Sequence, residues 1–190
     1  MGMASPQTRW TAAMVRALPD DGFRHEVIDG EHVVTPAPSW THQRALRELV
    51  RRLLPYLEQH DVGELLFAPA DIEFDEHNMV EPDLFVLPHG EVETPRAWED
   101  VRDLLLVVEV LAPSTARTDQ VRKRRLYERH DVPEYWIVDT DRRVVERWRA
   151  GEDVGTVLTQ RLVWQPKEYA PPLLIHLGDY FRDVTGQSGS

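Results

Sequence analysis

Three residues of this chain have types and settings that could do chemistry: Asp83 in VEPDLFVL, Glu109 in LLLVVEVL and Lys123 in QVRKRRLYERH. Glu109 interrupts a run that is otherwise wholly apolar. A strand of that composition is expected to be buried on both faces, so the carboxylate points inward whichever side it takes. Burying it unpaired costs several kcal/mol, and it therefore calls for a cation, a donor or a raised pKa. Asp83 follows a proline at the mouth of a second apolar strand, where a side chain can be presented to a cleft. Two carboxylates from neighbouring strands make a hard-oxygen site. Such a site suits hydrated Mg²⁺, which takes one or two carboxylates and keeps several waters.

Lys123 stands out for a different reason. The chain holds 22 lysines and arginines, and all but Lys123 and Lys167 are arginine. On a helical wheel of about 100° per residue, Asp119–His130 places Lys123 between Leu126 and Tyr127 on the apolar stripe. Asp119 and His130 share that side, whereas Arg122, Arg124, Arg125 and Arg129 lie outside it. The ammonium is thus expected to point inward, with Glu109 as its partner. A compact point charge differs there from the wide planar fork of arginine. Two plainer readings stand beside this one: a snorkelling lysine, or a Glu–Lys pair that only fixes packing. His42 and Glu31 could enter a metal shell but read first as structural residues.

The elements that must position these groups can be read coarsely. WTAAMVRALPDDG is expected to be a short helix with Thr11 as N-cap. HEVIDGEHVV reads as a hairpin around Asp29-Gly30. Leu46, Leu49, Val50, Leu53, Leu54 and Leu57 predict a long amphipathic helix from about Thr41 to Gln59, which Pro55 should kink or shorten. GELLFAPADIEF and EPDLFVLP resemble a meander, and TPRAWEDVRD a helix. LLLVVEVL is expected to be a central strand, EYWIVD and RVVERWR a further hairpin, and the C-terminal third more strand with a short helical end. The fold class is α/β or α+β, a mixed sheet covered by two prominent helices in one domain spanning residues 1–190, with 184–190 as a mobile tail.

Composition excludes several functions. With no cysteine there is no disulfide framework, thiolate metal site or cysteine nucleophile. No histidine pair has zinc-helix spacing, and neither a glycine-rich phosphate loop nor GxSxG occurs. No apolar run approaches the roughly 20 residues that cross a bilayer, and the N-terminus lacks a signal-peptide order, so the expected location is the cytoplasm. The net charge of −11 opposes nucleic-acid binding, although Arg44, Arg47, Arg51 and Arg52 line one predicted helix and a second basic cluster spans Arg117–Arg129.

Taken together, Pro82-Asp83, the buried strand carrying Glu109 and the following lysine resemble the PD-(D/E)XK nuclease superfamily. More narrowly, HEVIDGEHVVTPAPSWTHQRAL, EPDLFVL and LLLVVEVLAPSTARTDQVRKRRLYERHDVPEYWIVD are similar to the Uma-type restriction endonuclease family of bacteria. Two departures occur. Leu111 stands where the wider superfamily has its lysine, a role that Lys123 fits from the next helix, and Ala112 stands where the narrower family often has serine. The resemblance implies a restriction-endonuclease-like core and a Mg²⁺-dependent endonuclease acting on DNA, with Mn²⁺ able to substitute. Asp83, Glu109 and the backbone carbonyl of Val110 would hold the metal, and Lys123 would orient the water and stabilise charge at phosphorus. Asp119 and Tyr127 would support them, and Arg44, Arg47, Arg122 and Arg125 would touch phosphates. Without metal, at least one of Asp83 and Glu109 should have a raised pKa. A homodimer would suit double-strand cleavage. The competing reading is a catalytically silent nuclease-fold module that binds nucleic acid or a protein partner.

Overall fold

Strand β7, Leu106–Val110, is buried at every position, because it lies inside a six-stranded sheet with both faces covered. The computed structural model describes residues 8–89, 98–101, 103–112 and 118–186. In chain order they form α1 (Ala12–Arg16), the strands β1 (Arg24–Ile28) and β2 (Glu31–Thr35), and α2 (Trp40–His60). Strands β3 (Gly63–Phe67), β4 (Ile72–Asp75), β5 (Asn78–Val80) and β6 (Leu84–Pro88) precede β7, which is followed by α3 (Arg124–Arg129). The chain continues through β8 (Glu134–Asp139), β9 (Val144–Arg149), β10 (Thr156–Leu158), β11 (Arg161–Trp164) and β12 (Leu173–His176) to α4 (Leu177–Thr185).

The large sheet has the order β10-β9-β8-β7-β6-β3, and a four-stranded sheet has the order β2-β1-β5-β4. Within the large sheet only β7 and β8 run parallel. Parallel neighbours need a crossover, which a π-helical segment, Thr118–Lys123, and α3 supply. The architecture is therefore a mixed α+β fold, with the sheet flanked by helices as expected.

Local chemistry explains several boundaries. Thr11 caps α1, accepting from the Met14 N–H at 3.2 Å. Asp29 and Gly30 both have positive φ, 55° and 77°, as a tight hairpin turn between right-twisted strands requires. Ser39 caps α2 and accepts from the His42 N–H at 3.2 Å. Helix α2 is not shortened at Pro55 but continues to His60. Pro55 lies on the exposed side, so water can reach the Arg51 carbonyl that proline leaves without its helical partner. Buried Leu53, Tyr56 and Leu57 keep the helix packed on the core on either side of Pro55.

The alternation of β6 and β7 separates two cores. Leu84, Val86, Leu106 and Val108 pack against Ala45, Leu49 and Leu53 of α2 and Tyr180 of α4. On the opposite face, Phe85 and Val107 pack with Leu126 and Tyr127 of α3 and with Ile28, Ile72 and Val80 of the small sheet. The expected meander is corrected by this division. Strand β3 pairs with β6 in the large sheet, whereas β4 pairs with β5 in the small one. Of the helix expected in TPRAWEDVRD, Trp98–Asp100 form one short turn, and residues 90–97 and 102 lie outside the described residues. Val184 and Thr185, expected in the tail, end α4, and Val184 is buried; residues 187–190 lie outside the described residues. No described helix is long and apolar enough to cross a membrane.

The path of α2 through Pro55 leads to a test. Proline in a helix interior is about 3 kcal/mol less favourable than alanine. Pro55→Ala should raise stability by about 1–3 kcal/mol in urea unfolding, with an unchanged m-value, because the packed face stays the same.

Candidate active site

The strand registers bring the two sequence-selected carboxylates together. Leu84 of β6 pairs with Val108 of antiparallel β7, so Asp83 and Glu109 fall opposite each other one step on. Both take the face covered by α3 and the small sheet. Asp83, Glu109 and Lys123 are each only 2% exposed. All three line one cleft of about 390 Å³, together with Arg24, His42 and Val110. The β2–α2 connection supplies Thr35–Ser39 as one wall of this cleft, and Thr140 and Asp141 lie at its edge.

Lys123 is the hub. Its Nζ stands 2.8 Å from Glu109 Oε1 and 2.8 Å from Glu26 Oε1. The Tyr127 hydroxyl donates to the same Glu109 oxygen at 3.1 Å, and the Glu81 N–H donates to Glu26 Oε1 at 2.8 Å. Lys123 reaches this position at the end of the π-helical segment, three and four residues before buried Leu126 and Tyr127. Asp83 is held from three sides. Its Oδ2 accepts from the Val110 N–H at 2.8 Å and its Oδ1 from Arg24 Nη1 at 2.9 Å. His42 Nε2 lies 3.2 Å from Oδ1, close enough to attract but without the angle of a formed hydrogen bond.

These contacts set the ionisation of the site. Burial works against a charged Asp83, but His42, Arg24 and the Val110 N–H outweigh it and hold the carboxyl down to about 2. The expectation of a raised pKa therefore fails at Asp83, because cations and a backbone donor reach it before any repulsion from Glu109 can dominate. Arg24 is held above its usual range: burial pulls its guanidinium down, and Asp83, Glu109 and Glu81 more than compensate. Burial pushes Glu81 up, against the attraction of Arg24; Arg24 Nε lies 2.8 Å from Glu81 Oε1.

Four carboxylates, those of Glu26, Glu81, Asp83 and Glu109, thus surround two cations, Arg24 and Lys123. The acidic groups of the site thus outnumber its arginine and lysine by two. Among the described residues, no group of three or more His, Asp or Glu side chains is placed to hold a metal ion together. Two carboxylates with an excess of negative charge fit a cation that keeps most of its water, as Mg²⁺ does. They do not fit a closed structural zinc site.

The remaining sequence-selected residues are distributed as follows. Tyr127 joins the site, whereas the Asp119 side chain and residues 113–117 of the EVLxPST turn lie outside the described residues. Ala112 lines the cleft. Glu31 lies away from the carboxylates, on β2, paired with Arg122. None of the four arginines expected at phosphates lines the cleft. Arg44 donates to the Asp183 carbonyl at 2.6 Å, Arg47 pairs with buried Glu48 at 2.7 Å, and Arg125 is exposed. Sequence reasoning missed Arg24, Glu26 and Glu81. A signal existed for Glu26: it shares an inward face with Ile28 in an alternating strand, the same anomaly that exposed Glu109.

Residues 12–181 match the Uma2 family, whose description is "Putative restriction endonuclease". The fold is similar to the crystal structure of a putative nuclease belonging to DUF820 from Anabaena variabilis ATCC 29413. That similarity has a TM-score of 0.77 at 18% identity and covers 92% of this chain and 98% of the other. No curated protein matches the chain. The family match runs from the first residue of α1 into α4 and contains every side chain of the cleft, so the chain belongs to the Uma2 family of putative restriction endonucleases.

Proposed function

We propose that this protein is a Mg²⁺-dependent endonuclease that hydrolyses phosphodiester bonds in DNA, with Mn²⁺ able to replace Mg²⁺. One observation carries the reading: a buried ammonium, two apposed carboxylates and their supporting charges converge on one cleft. Asp83 and Glu109 would hold the metal, with the Val110 carbonyl as a third oxygen. A bound divalent ion supplies Lewis acidity, lowering the pKa of water and neutralising phosphate charge. Lys123 donates toward the attacking water and the developing negative charge at phosphorus, a role in which fixed donors are worth most when desolvated. Tyr127 and Glu26 keep Glu109 and Lys123 from rotating, and Arg24 and the Val110 N–H keep Asp83 ionised.

Removing the ammonium tests the site. Lys123→Ala should lower metal-dependent nicking of supercoiled plasmid by at least about 100-fold. It also leaves Glu26 and Glu109 buried without their cation, a loss of about 3–5 kcal/mol. The double variant Glu26→Gln/Lys123→Met relieves that repulsion and should be folded by circular dichroism yet equally inactive. Wild-type nicking by either folded variant refutes the assignment.

Metal binding has its own readout. At about ten times the dissociation constant, Mg²⁺ or Mn²⁺ should raise the melting temperature by roughly 3–6 °C. Asp83→Asn and Glu109→Gln should abolish the shift. A wild-type melting temperature that does not move across a millimolar titration contradicts metal dependence.

The ionisation of Asp83 predicts an acid limb. Its carboxyl titrates at about 2 in the folded chain against an ordinary 3.8. The stabilisation is therefore complete above pH 3.8 and lost as pH falls toward 2. Relative to Asp83→Asn, the metal-free wild type should lose on the order of 2 kcal/mol over that interval in denaturant unfolding.

A further inference from the structure

We propose that the Arg24 guanidinium is the resident counter-ion of Asp83, which a divalent metal ion must displace in order to bind there. This role presupposes the metal-dependent site proposed above and names the residue that sets its affinity for metal. Asp83 is met at both oxygens: Oδ2 accepts from the Val110 N–H at 2.8 Å and Oδ1 from Arg24 Nη1 at 2.9 Å. The two donors differ in freedom. Val110 is paired with Val138 of β8, so its N–H is fixed by the strand. Arg24 reaches Asp83 through a long side chain that lines the cleft, and that side chain can swing. His42 Nε2 stands farther off, at 3.2 Å and without a formed hydrogen bond, which leaves Arg24 as the bound competitor. A metal ion on Oδ1 shares that oxygen with the guanidinium, and like charges so close repel strongly where water is scarce.

Glu81 gives the displaced cation a place to stay. Arg24 Nε lies 2.8 Å from Glu81 Oε1, and Nη1 also donates to the Glu81 carbonyl at 3.1 Å. Asp83 lines the cleft and Glu81 does not, so the guanidinium bridges one acid inside the cleft and one outside it. It can release Asp83 while keeping Glu81, and no charge is then left buried without a partner. The planar fork of arginine suits such a bridge, because it serves two acceptors at once. The balance of charge agrees. The acidic groups of the site outnumber its arginine and lysine by two, and one divalent ion matches that excess with Arg24 still on Glu81. The metal-free site is thus held together by a side chain in the place that the ion takes over.

The test is a Mn²⁺ titration of the full, chelator-stripped chain by isothermal titration calorimetry, without nucleic acid. Arg24→Gln should tighten Mn²⁺ binding by roughly tenfold or more. If Arg24 served only to position Asp83 for the metal, the same change would weaken binding by about 10–100-fold. The double variant Arg24→Gln/Glu81→Gln removes one cation and one acid, so the excess of acids is unchanged, and it too should bind Mn²⁺ more tightly than the wild type. Where Arg24→Gln does not fold by circular dichroism, the double variant decides. Arg161→Gln, on β11 and away from the cleft lining, should bind as the wild type does. Equal or weaker binding by the Arg24 variants overturns the exchange and leaves the metal reading standing on the wild-type binding. Tighter binding by Arg24→Gln with an unchanged double variant reduces the effect to net charge and overturns the exchange as well. Absence of Mn²⁺ binding in the wild type and in both variants refutes metal dependence and the exchange together. Binding by the variants alone supports the exchange, with Arg24 then excluding the metal outright.

Discussion

The ammonium of Lys123 ties together two sheets that have no shared hydrogen-bond ladder. Glu26 belongs to β1 of the small sheet and Glu109 to β7 of the large one, and both carboxylates lie 2.8 Å from the same nitrogen. Arg24 repeats the device one alternation earlier on β1, reaching Asp83 at the mouth of β6. The seam between the sheets is therefore ionic where an apolar core would have been simpler. Taking an ion out of water costs several kcal/mol, and well-packed apolar residues often replace buried ion pairs without loss of stability. An arrangement with four carboxylates and two cations is poorly explained by stability. It is well explained by a site that holds charge in readiness for a ligand.

The same hub accounts for the basic run that contains it. Arg122 pairs with Glu31, Lys123 with Glu26 and Arg129 with Asp29, so three cations of one helical segment meet three acids of the β1–β2 hairpin. Arg124 lies over the Trp148 ring at 4.4 Å. On α2, Glu48 is fully buried beneath Arg47, Arg51 and Arg52. Basic clusters that look like a phosphate-binding strip in one dimension are largely consumed in holding helices to their neighbours. Exposed ion pairs contribute little each, yet they occupy the charges that a nucleic-acid surface would need.

Lys123 was legible because three and four residues separate it from Leu126 and Tyr127, and side chains at those spacings share a helix face. The prediction survives although Thr118–Lys123 is π-helical, since the residues that fix the face lie in α3 and Lys123 adjoins it. Glu109 was legible because its neighbours are too apolar to lie at a surface. Pro55 does not shorten the helix for an equally physical reason: local propensity disfavours proline within a helix, but the packing of Leu53, Tyr56 and Leu57 outweighs it. The meander misled because β3 and β4 have similar patterns, and alternation alone does not say which sheet a strand joins.

By itself, then, the sequence determined which groups had to turn inward and where short-range chemistry starts or reverses a chain, as at Thr11 and Asp29-Gly30. These outcomes depend on spacings of a few residues and on the cost of hydrating or burying a side chain, and both are local quantities. Beyond the Lys123–Glu109 pair, which the sequence anticipated, only the tertiary structure decided which partner each charge would meet. Arg24 and Asp83 are 59 residues apart in sequence and 2.9 Å apart in space. The choice of Glu26 over Glu31 for Lys123, and the loss of the arginines to internal pairs, follow from strand register and helix docking. Register and docking are fixed by the packing of the two cores as a whole, so no window of sequence contains them.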